Sequence, residues 1–403
     1  MPSYHLCLDL GSYEIKSLVG RVENGEIRIL SSLKKPSQGI KNGVITDPDL
    51  VAERVGELLS EIETANKKMH FYEAIIGIGG TYLDLKTSKG VTVISRSNQE
   101  VTEDDVEKAF QAAQALALPQ NRILIQAILK NFRIDGGEKV KDPVGMKGIK
   151  LEAESLLIDI FSPVIKKIDE VGEMLGLAFN KKCVLPLAGA EFVLNERDKD
   201  LGVMTIDFGA DTTSICVYED GELIDLKVFP FGSNHVTNDI AVGLKTYIDI
   251  AEKLKIKEGV AYSKKVSKND NIEMTDYGEE GETKVSKKFL AEIIEARLME
   301  ILDLIGEELK QIDKFNKLPA GIVIYGGGAK TPYLSDLVKE RLKLSVRVFN
   351  PDHPFFEGNP SMEFVPVLGL LNFFAGMENE RIINQGGKLI KKIFKPFTNL
   401  FKF

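Results

Sequence analysis

The chain has 403 residues, too many for one hydrophobic core and enough for two to four subdomains. Charged residues make up 28% and hydrophobic ones 43%, the balance of an ordinary soluble protein rather than a disordered or membrane-embedded one. A formal net charge of −8 argues against general nucleic-acid binding, which favours a basic face.

In chain order, the first informative stretch is His5-Leu-Cys-Leu-Asp9-Leu-Gly11-Ser12-Tyr-Glu-Ile-Lys16. It reads as an apolar strand, a tight turn of Asp, apolar, Gly and small residues, and an outgoing strand. Small residues let backbone N–H groups approach phosphate oxygens. An aspartate at the strand end can hold a hydrated Mg²⁺ against them, and Lys16 adds a point charge suited to a bridging phosphate. Gly25 turns the chain into a strand over 26–30, and Asp47-Pro48 starts a helix to about Asn66 with Leu50, Val51, Val55, Leu58, Leu59 and Ile62 at helical spacing. A strand over 73–78 ends at Gly79-Gly80, which reads as a turn. From about residue 84 the pattern becomes a compact α+β insertion. It has a helix capped by Thr102 with Asp105 at the third helical position, running to about Ala117, then a strand before Phe132 and another over 152–160.

The opening hairpin has a second copy, Leu201-Gly-Val-Met-Thr-Ile-Asp207-Phe-Gly209-Ala-Asp211-Thr212-Thr213. One Asp-x-Gly turn ends many ordinary hairpins. Two, about one domain length apart, imply a nucleotide clamped between related halves, with the Thr212 and Thr213 hydroxyls as further donors. Residues 263–286 are polar and read as an exposed loop or hairpin. Lys287 to about Phe315 reads as a long helix with an apolar stripe, and it also carries Arg297, Lys310 and Lys314. Next, an apolar strand runs into Gly326-Gly327-Gly328, where a flat group can lie against bare backbone. The spacing is neither that of a Walker A loop nor that of a dinucleotide fingerprint.

Cys7, Cys183 and Cys216 are odd in number and lie in or near apolar segments, so they read as buried thiols of a reducing cytosol. The histidines lack metal-ligand spacing. No signal peptide opens the chain, and no apolar run approaches the roughly 18 residues that span a bilayer. After Gly376 a polar linker is expected over 377–387, followed by 388–403. Wound as a helix, that last segment places Leu389, Ile390, Ile393, Phe394, Phe397, Leu400 and Phe401 on one side, and Lys391, Lys392 and Lys395 on the other. Basic on one face and aromatic on the other describes an in-plane membrane helix on an anionic surface, with Pro396 as a kink or a restart.

Hairpin, hairpin and glycine turn, in this order, resemble the actin-like ATPase superfamily. That resemblance implies an α/β fold of two duplicated domains around a nucleotide cleft. It narrows to the FtsA family of bacterial cell-division proteins through the Pro143-Val-Gly-Met-Lys-Gly-Ile149 turn, Gly176-Leu177 and Leu185-Pro186-Leu-Ala-Gly-Ala-Glu191, and through Phe231-Gly232-Ser-Asn234 and Ala251-Glu252-Lys-Leu-Lys255. By resemblance, subdomain 1A takes 1–83 and 161–193, an FtsA-type 1C insertion 84–160, 2A 194–232 and 318–376, and 2B 233–317. The same resemblance implies Mg-ATP in the cleft, with Asp9 and Asp207 ordering the metal's waters. Gly11, Ser12 and Lys16 would hold phosphates on one side, and Gly209, Asp211, Thr212 and Thr213 on the other. Gly232, Glu252 and Lys255 would approach the nucleoside, and Gly326, Gly327 and Gly328 the base.

The partners implied are the FtsZ C-terminal peptide on 2B, further copies in a filament, and an anionic membrane, with no nucleic acid. The place implied is the cytoplasmic face of the cell membrane at the division site. Two departures stand out: Asp211 adds negative charge beside a triphosphate, and Leu185, before Pro186, cannot orient an attacking water, so hydrolysis should be slow. A PilM-like pilus scaffold is the alternative, and a small-molecule kinase on the same fold a more distant one.

Overall fold

The computed structural model describes residues 4–23, 26–65, 69–95, 97–115, 118–278, 284–349 and 362–383. The apolar run at the start forms β1 (Tyr4–Leu10), which turns into the antiparallel β2 (Glu14–Glu23) and then β3 (Glu26–Pro36). A short hairpin follows, β4 (Ile40–Lys41) and β5 (Val44–Ile45), closed by Asn42 and Gly43 at φ 52° and 71°. These left-handed values make a two-residue turn whose twist matches its strands, and Asn-Gly is the sequence that tolerates it.

Helix α1 (Pro48–Ala65) buries Val51, Val55, Leu58 and Ile62 against this sheet, and β6 (Glu73–Ile78) runs parallel to β1. The insertion then contributes β7 (Leu83–Val93), α2 (Glu103–Ala115), β8 (Arg122–Ile134), β9 (Lys139–Val140) and β10 (Lys150–Phe161), in sheet order β7-β10-β8-β9. Thr102 caps α2 as expected: the Asp105 backbone N–H donates to its hydroxyl, and the Thr102 backbone N–H donates to the Asp105 carboxylate. Helix α3 (Ser162–Leu175) and β11 (Ala178–Val184) complete the first half, whose sheet runs β11-β6-β1-β2-β3.

Helices α4 (Leu185–Val193) and α5 (Glu196–Leu201) cross to the second half. There β12 (Val203–Phe208), β13 (Thr213–Glu219) and β14 (Glu222–Phe229) repeat the opening meander. Helices α6 (Ser233–Leu244) and α7 (Ile248–Glu258), the small hairpin β15 (Asn271–Glu273) and β16 (Lys284–Ser286), and the long α8 (Lys287–Gln311) form the outer part. Strand β17 (Gly321–Tyr325), α9 (Leu334–Leu342) and β18 (Val346–Val348) finish a sheet of order β14-β13-β12-β17-β18. Position for position this is the first half's sheet again: a meander on one side of the leading strand, two parallel strands on the other. The duplication read from the two hairpins therefore extends to whole sheets.

Helix α10 (Val365–Ile383) packs on α4, and the two lie between the sheets. Their Leu187, Val367 and Leu370 share one core with Cys7 and Leu18 of the first sheet and Cys216 and Tyr218 of the second. All three cysteines are buried free thiols. Helix α10 continues through 377–383, part of the span expected to be a polar linker. The tail residues Leu389, Ile390, Lys391, Lys392, Ile393, Phe394, Lys395, Phe397, Leu400 and Phe401 lie outside the described residues. No described helix is long and apolar enough to cross a membrane.

Candidate functional site

The two meanders bring their turns face to face across a cavity of about 450 Å³. From the first half it is lined by Asp9, Gly11, Ser12 and Lys16, and from the second by Asp207, Gly209, Asp211, Thr212, Glu252, Lys255 and Gly326 to Gly328. The sequence placed all of these at a nucleotide, and the fold brings them together. Two others stand behind the lining. The Thr213 side chain points away, its hydroxyl donating to the Phe231 carbonyl at 2.8 Å. Gly232 packs on the second turn instead, where a Cβ would meet the Ala210 carbonyl at 2.5 Å. Its lack of a side chain lets the start of α6 sit against that turn.

The strand ends set the charges. Asp9 pairs across the ladder with Lys16, and their side chains form a buried ion pair at 3.0 Å. Burial alone would lower the Lys16 ammonium, but Asp9, with Glu14 and Asp207 nearby, carries it above its ordinary value. Lys16 is thus already neutralised by Asp9 rather than free for a phosphate.

Asp207 occupies the same place in the second hairpin, but its ladder partner is Ser214. Burial first, and then the nearby Asp9 carboxylate, push Asp207 up to about 7, with Lys16 pulling the other way. The bare backbone of Gly326 is what lets the glycine turn reach it. Gly326 lies at φ 92°, and a Cβ there would stand 2.3 Å from the Asp207 carboxylate.

On the second half, Lys255 donates to Thr237 Oγ1 at 2.7 Å and to the Ser233 carbonyl at 3.1 Å, and pairs with Glu252 at 2.7 Å. Burial lowers this ammonium, with Glu252 opposing. Glu252 and Lys255 thus form one polar edge of the cavity, as their spacing implied.

Several lining residues were not foreseen. Tyr13, Lys34, Asn234, Lys330 and Glu363 all face the cavity. Lys34 of β3 bridges Glu14 at 3.0 Å and Glu363 at 3.1 Å, and Lys330 pairs with Glu363 at 2.7 Å, so this wall is an ion network joining both halves. The β4–β5 tip was also missed: the Gly43 N–H donates to Ser12 Oγ at 2.9 Å and the Asn42 N–H to Asp211 at 2.9 Å. Its signal was present in the sequence as an Asn-Gly pair between short apolar runs.

The arrangement offers two glycine-bearing turns for anions, two strand-end carboxylates and a bare glycine surface for a flat group. Among the described residues no group of three or more His, Cys, Asp or Glu side chains is arranged to hold a metal ion directly.

Sheet order, cleft and insertion together define a protein of the actin-like ATPase fold. Among solved structures, a chain of a PilM–PilN type IV pilus biogenesis complex superposes with a TM-score of 0.63 at 16% identity, covering 91% of this chain and 97% of that one. MreB5 of Spiroplasma citri bound to ADP superposes with a TM-score of 0.54 at 14% identity, covering 95% and 99%.

Sequence goes further than fold. Residues 204–369 match the family described as cell division protein FtsA, and residues 80–158 match the SHS2 domain inserted in FtsA. Cell division protein FtsA of Bacillus subtilis is 32% identical over 96% of this chain and 86% of its own length. That of Neisseria meningitidis is 32% identical over 86% and 84%, and that of Escherichia coli 29% over 85% and 83%. The chain belongs to the FtsA family of cell division proteins.

Proposed function

We propose that this chain binds Mg-ATP between its two hairpins, hydrolyses it slowly, polymerises at the cytoplasmic face of the cell membrane and tethers FtsZ there. The observation that carries the nucleotide reading is the pair of Asp-led turns, built on one register, facing a single cavity. Its volume of about 450 Å³ lies within the range of small-ligand sites. MreB5, of the same fold, has been solved bound to ADP and to AMPPNP, which supports the reading.

The residues present fit a magnesium nucleotide. Asp207 is a half-buried carboxylate without a cation on its own hairpin and with a second carboxylate nearby. A hydrated divalent ion supplies the missing positive charge and polarises the phosphates when bound. Around it, the turns at Gly11 and Gly209 would meet the phosphates, Glu252 and Lys255 would form the polar edge for a ribose, and Gly326 to Gly328 would lie against a base. Leu185 lines the cavity at the start of α4 and cannot accept a proton, so water there is not activated by a side chain at that position.

Tethering rests on two further features. Wound as a helix, the sequence of 388–403 would set lysines on one face and aromatic and aliphatic residues on the other, the pattern of an in-plane membrane helix. The outer part of the second half, with α6 to α8, is the expected seat for an acidic peptide. On α8, Arg297 is already forked onto Asp239 at 2.6 and 3.0 Å, so a peptide carboxylate has to compete for it. Lys314 is paired with Glu219, and Lys310 lies over the Phe315 ring.

A fluorescent ATP analogue should bind with Mg²⁺ and weaken on chelation, while phosphate release stays far below one per second. Turnover at the rate of a metabolic kinase would overturn the slow-hydrolysis reading. For the tether, the full chain should co-sediment with anionic liposomes in Mg-ATP and a chain ending at Gln385 should not. Equal lipid binding by both would remove the role given to the tail.

A further inference from the structure

Asp211 lies where the two halves of the protein touch across the cleft. One of its carboxylate oxygens accepts the backbone N–H of Asn42, at the β4–β5 tip of the first half, at 2.9 Å. The other accepts the side-chain amide of Asn234, in the first turn of α6 in the second half, at 2.7 Å. Neither donor is loose. Asn234 is anchored by its own N–H to the Ala210 carbonyl at 2.8 Å. The tip is set by its turn and wedged against Gly80, where a Cβ would meet the Gly43 carbonyl at 2.8 Å. Asp211 is therefore pinned on both sides, with its charge spent on protein donors rather than left aimed at a phosphate.

We propose that Asp211 is a strap across the cleft: a positioning residue that holds the two phosphate-facing turns at their closed separation and so lengthens the stay of a nucleotide between them. A hydrogen bond to an ionised acceptor is about twice as strong as a neutral one, and this one exists only when the halves are close. Its loss shifts the balance of closed and open forms by roughly tenfold. The effect on residence time rests on the cleft being a nucleotide site; the effect on closure does not.

Two substitutions separate the strap from simple repulsion of phosphate. Asp211→Asn removes the charge but keeps an acceptor for Asn42, once the Asn234 amide rotates. Asp211→Ala removes both. Spin labels placed on Tyr72→Cys and Tyr247→Cys read the separation of the halves without nucleotide. Both positions are about four-fifths exposed, one in each half, and the native thiols are buried.

Asp211→Ala should lengthen and broaden the distance distribution, and Asp211→Asn, which keeps the weaker neutral bond, should do so to a clearly smaller extent. Unchanged distances in the alanine variant, or equal opening in both, overturn the strap. With a fluorescent ATP analogue, release should be about tenfold faster from the alanine variant and about threefold faster from the asparagine variant. If both variants slow release alike, repulsion is the whole effect and the strap is wrong. If the parent chain binds no nucleotide, the nucleotide reading falls, and the label distances still decide the strap.

Discussion

In the first hairpin Asp9 stands opposite Lys16; in the second, with the strands in the same register, Asp207 stands opposite Ser214. The backbones repeat down to the closing pairs, Leu10 with Ile15 and Phe208 with Thr213, so the turns are of equal length. Between those pairs the side chains part: Ser12 and Tyr13 in one turn, Ala210 and Asp211 in the other. In the first hairpin the strand-end aspartate is balanced on its own ladder, Asp9 against Lys16. The second carries a half-buried carboxylate with no cation opposite and a second acid that reaches over to the first half. Duplication has kept the frame and divided the charges, so one strand-end carboxylate is balanced on its own ladder and the other is not.

Removing the cation from the balanced hairpin tests this contrast most severely. Lys16→Met leaves Asp9 buried and unpaired beside Asp207, and should cost about 3–5 kcal/mol of stability in a denaturant titration. A loss under about 1 kcal/mol would mean that the pair is wet rather than buried.

The unbalanced hairpin should respond in the opposite direction. Asp207 titrates near 7 when folded and near its ordinary 3.8 when unfolded. Between those values the unfolded chain releases a proton that the folded chain keeps, so stability falls as pH rises through the window, and the full penalty is present above it. Asp207→Asn should therefore stabilise the nucleotide-free chain in chelator by roughly 2–4 kcal/mol at pH 8. The gain should fade as pH falls towards 4. The same variant should lose the Mg²⁺-dependent part of nucleotide affinity. A gain that is flat with pH would assign the stabilisation to something other than charge.

Much of this was legible beforehand because it is local. Asp-apolar-Gly turns after apolar strands give their register away, and a second copy turns a weak motif into a two-domain plan. The glycine turn after β17 was equally plain. What the sequence concealed was contact at long range. Asp211 meets Asn42 across 169 residues, and nothing near either one announces the other. A lysine just past a glycine turn supplies a point charge suited to a phosphate, which is what the local sequence suggests for Lys16. That Asp9 takes it first follows from ladder register, which was available from counting across the turn. The Thr213 hydroxyl points away from the cavity for a similar reason. Strand alternation sends it to the face opposite Thr212, towards the Phe231 carbonyl.

The glycines extend the comparison at a smaller scale. Strands β6 and β17 both end in a glycine run, Gly79-Gly80 and Gly326-Gly327-Gly328. A Cβ at Gly79 would touch only Leu185 at 3.9 Å, whereas one at Gly326 would collide with Asp207 and sit at a positive φ. Gly326→Ala should cost roughly 1–3 kcal/mol and displace Asp207, while Gly79→Ala should change stability by less than about 0.5 kcal/mol. Equal costs in thermal unfolding would mean that the two ends of the cleft are more alike than their packing indicates.

The smallest effect concerns the hydroxyl that only the first turn has. Ser12 Oγ accepts the Gly43 N–H, and the equivalent residue in the second turn is Ala210, so the frame itself tolerates alanine. Ser12→Ala should cost about 0.5–1.5 kcal/mol, the worth of one neutral hydrogen bond. Amide exchange at Gly43 should quicken, while that at Asn42, held by Asp211, should hardly change. If Gly43 stays as protected as before, the tip is kept in place by its packing on Gly80 alone. If both amides quicken together, Ser12 supports the whole tip, and the contact to Asp211 depends on the first turn as much as on the second.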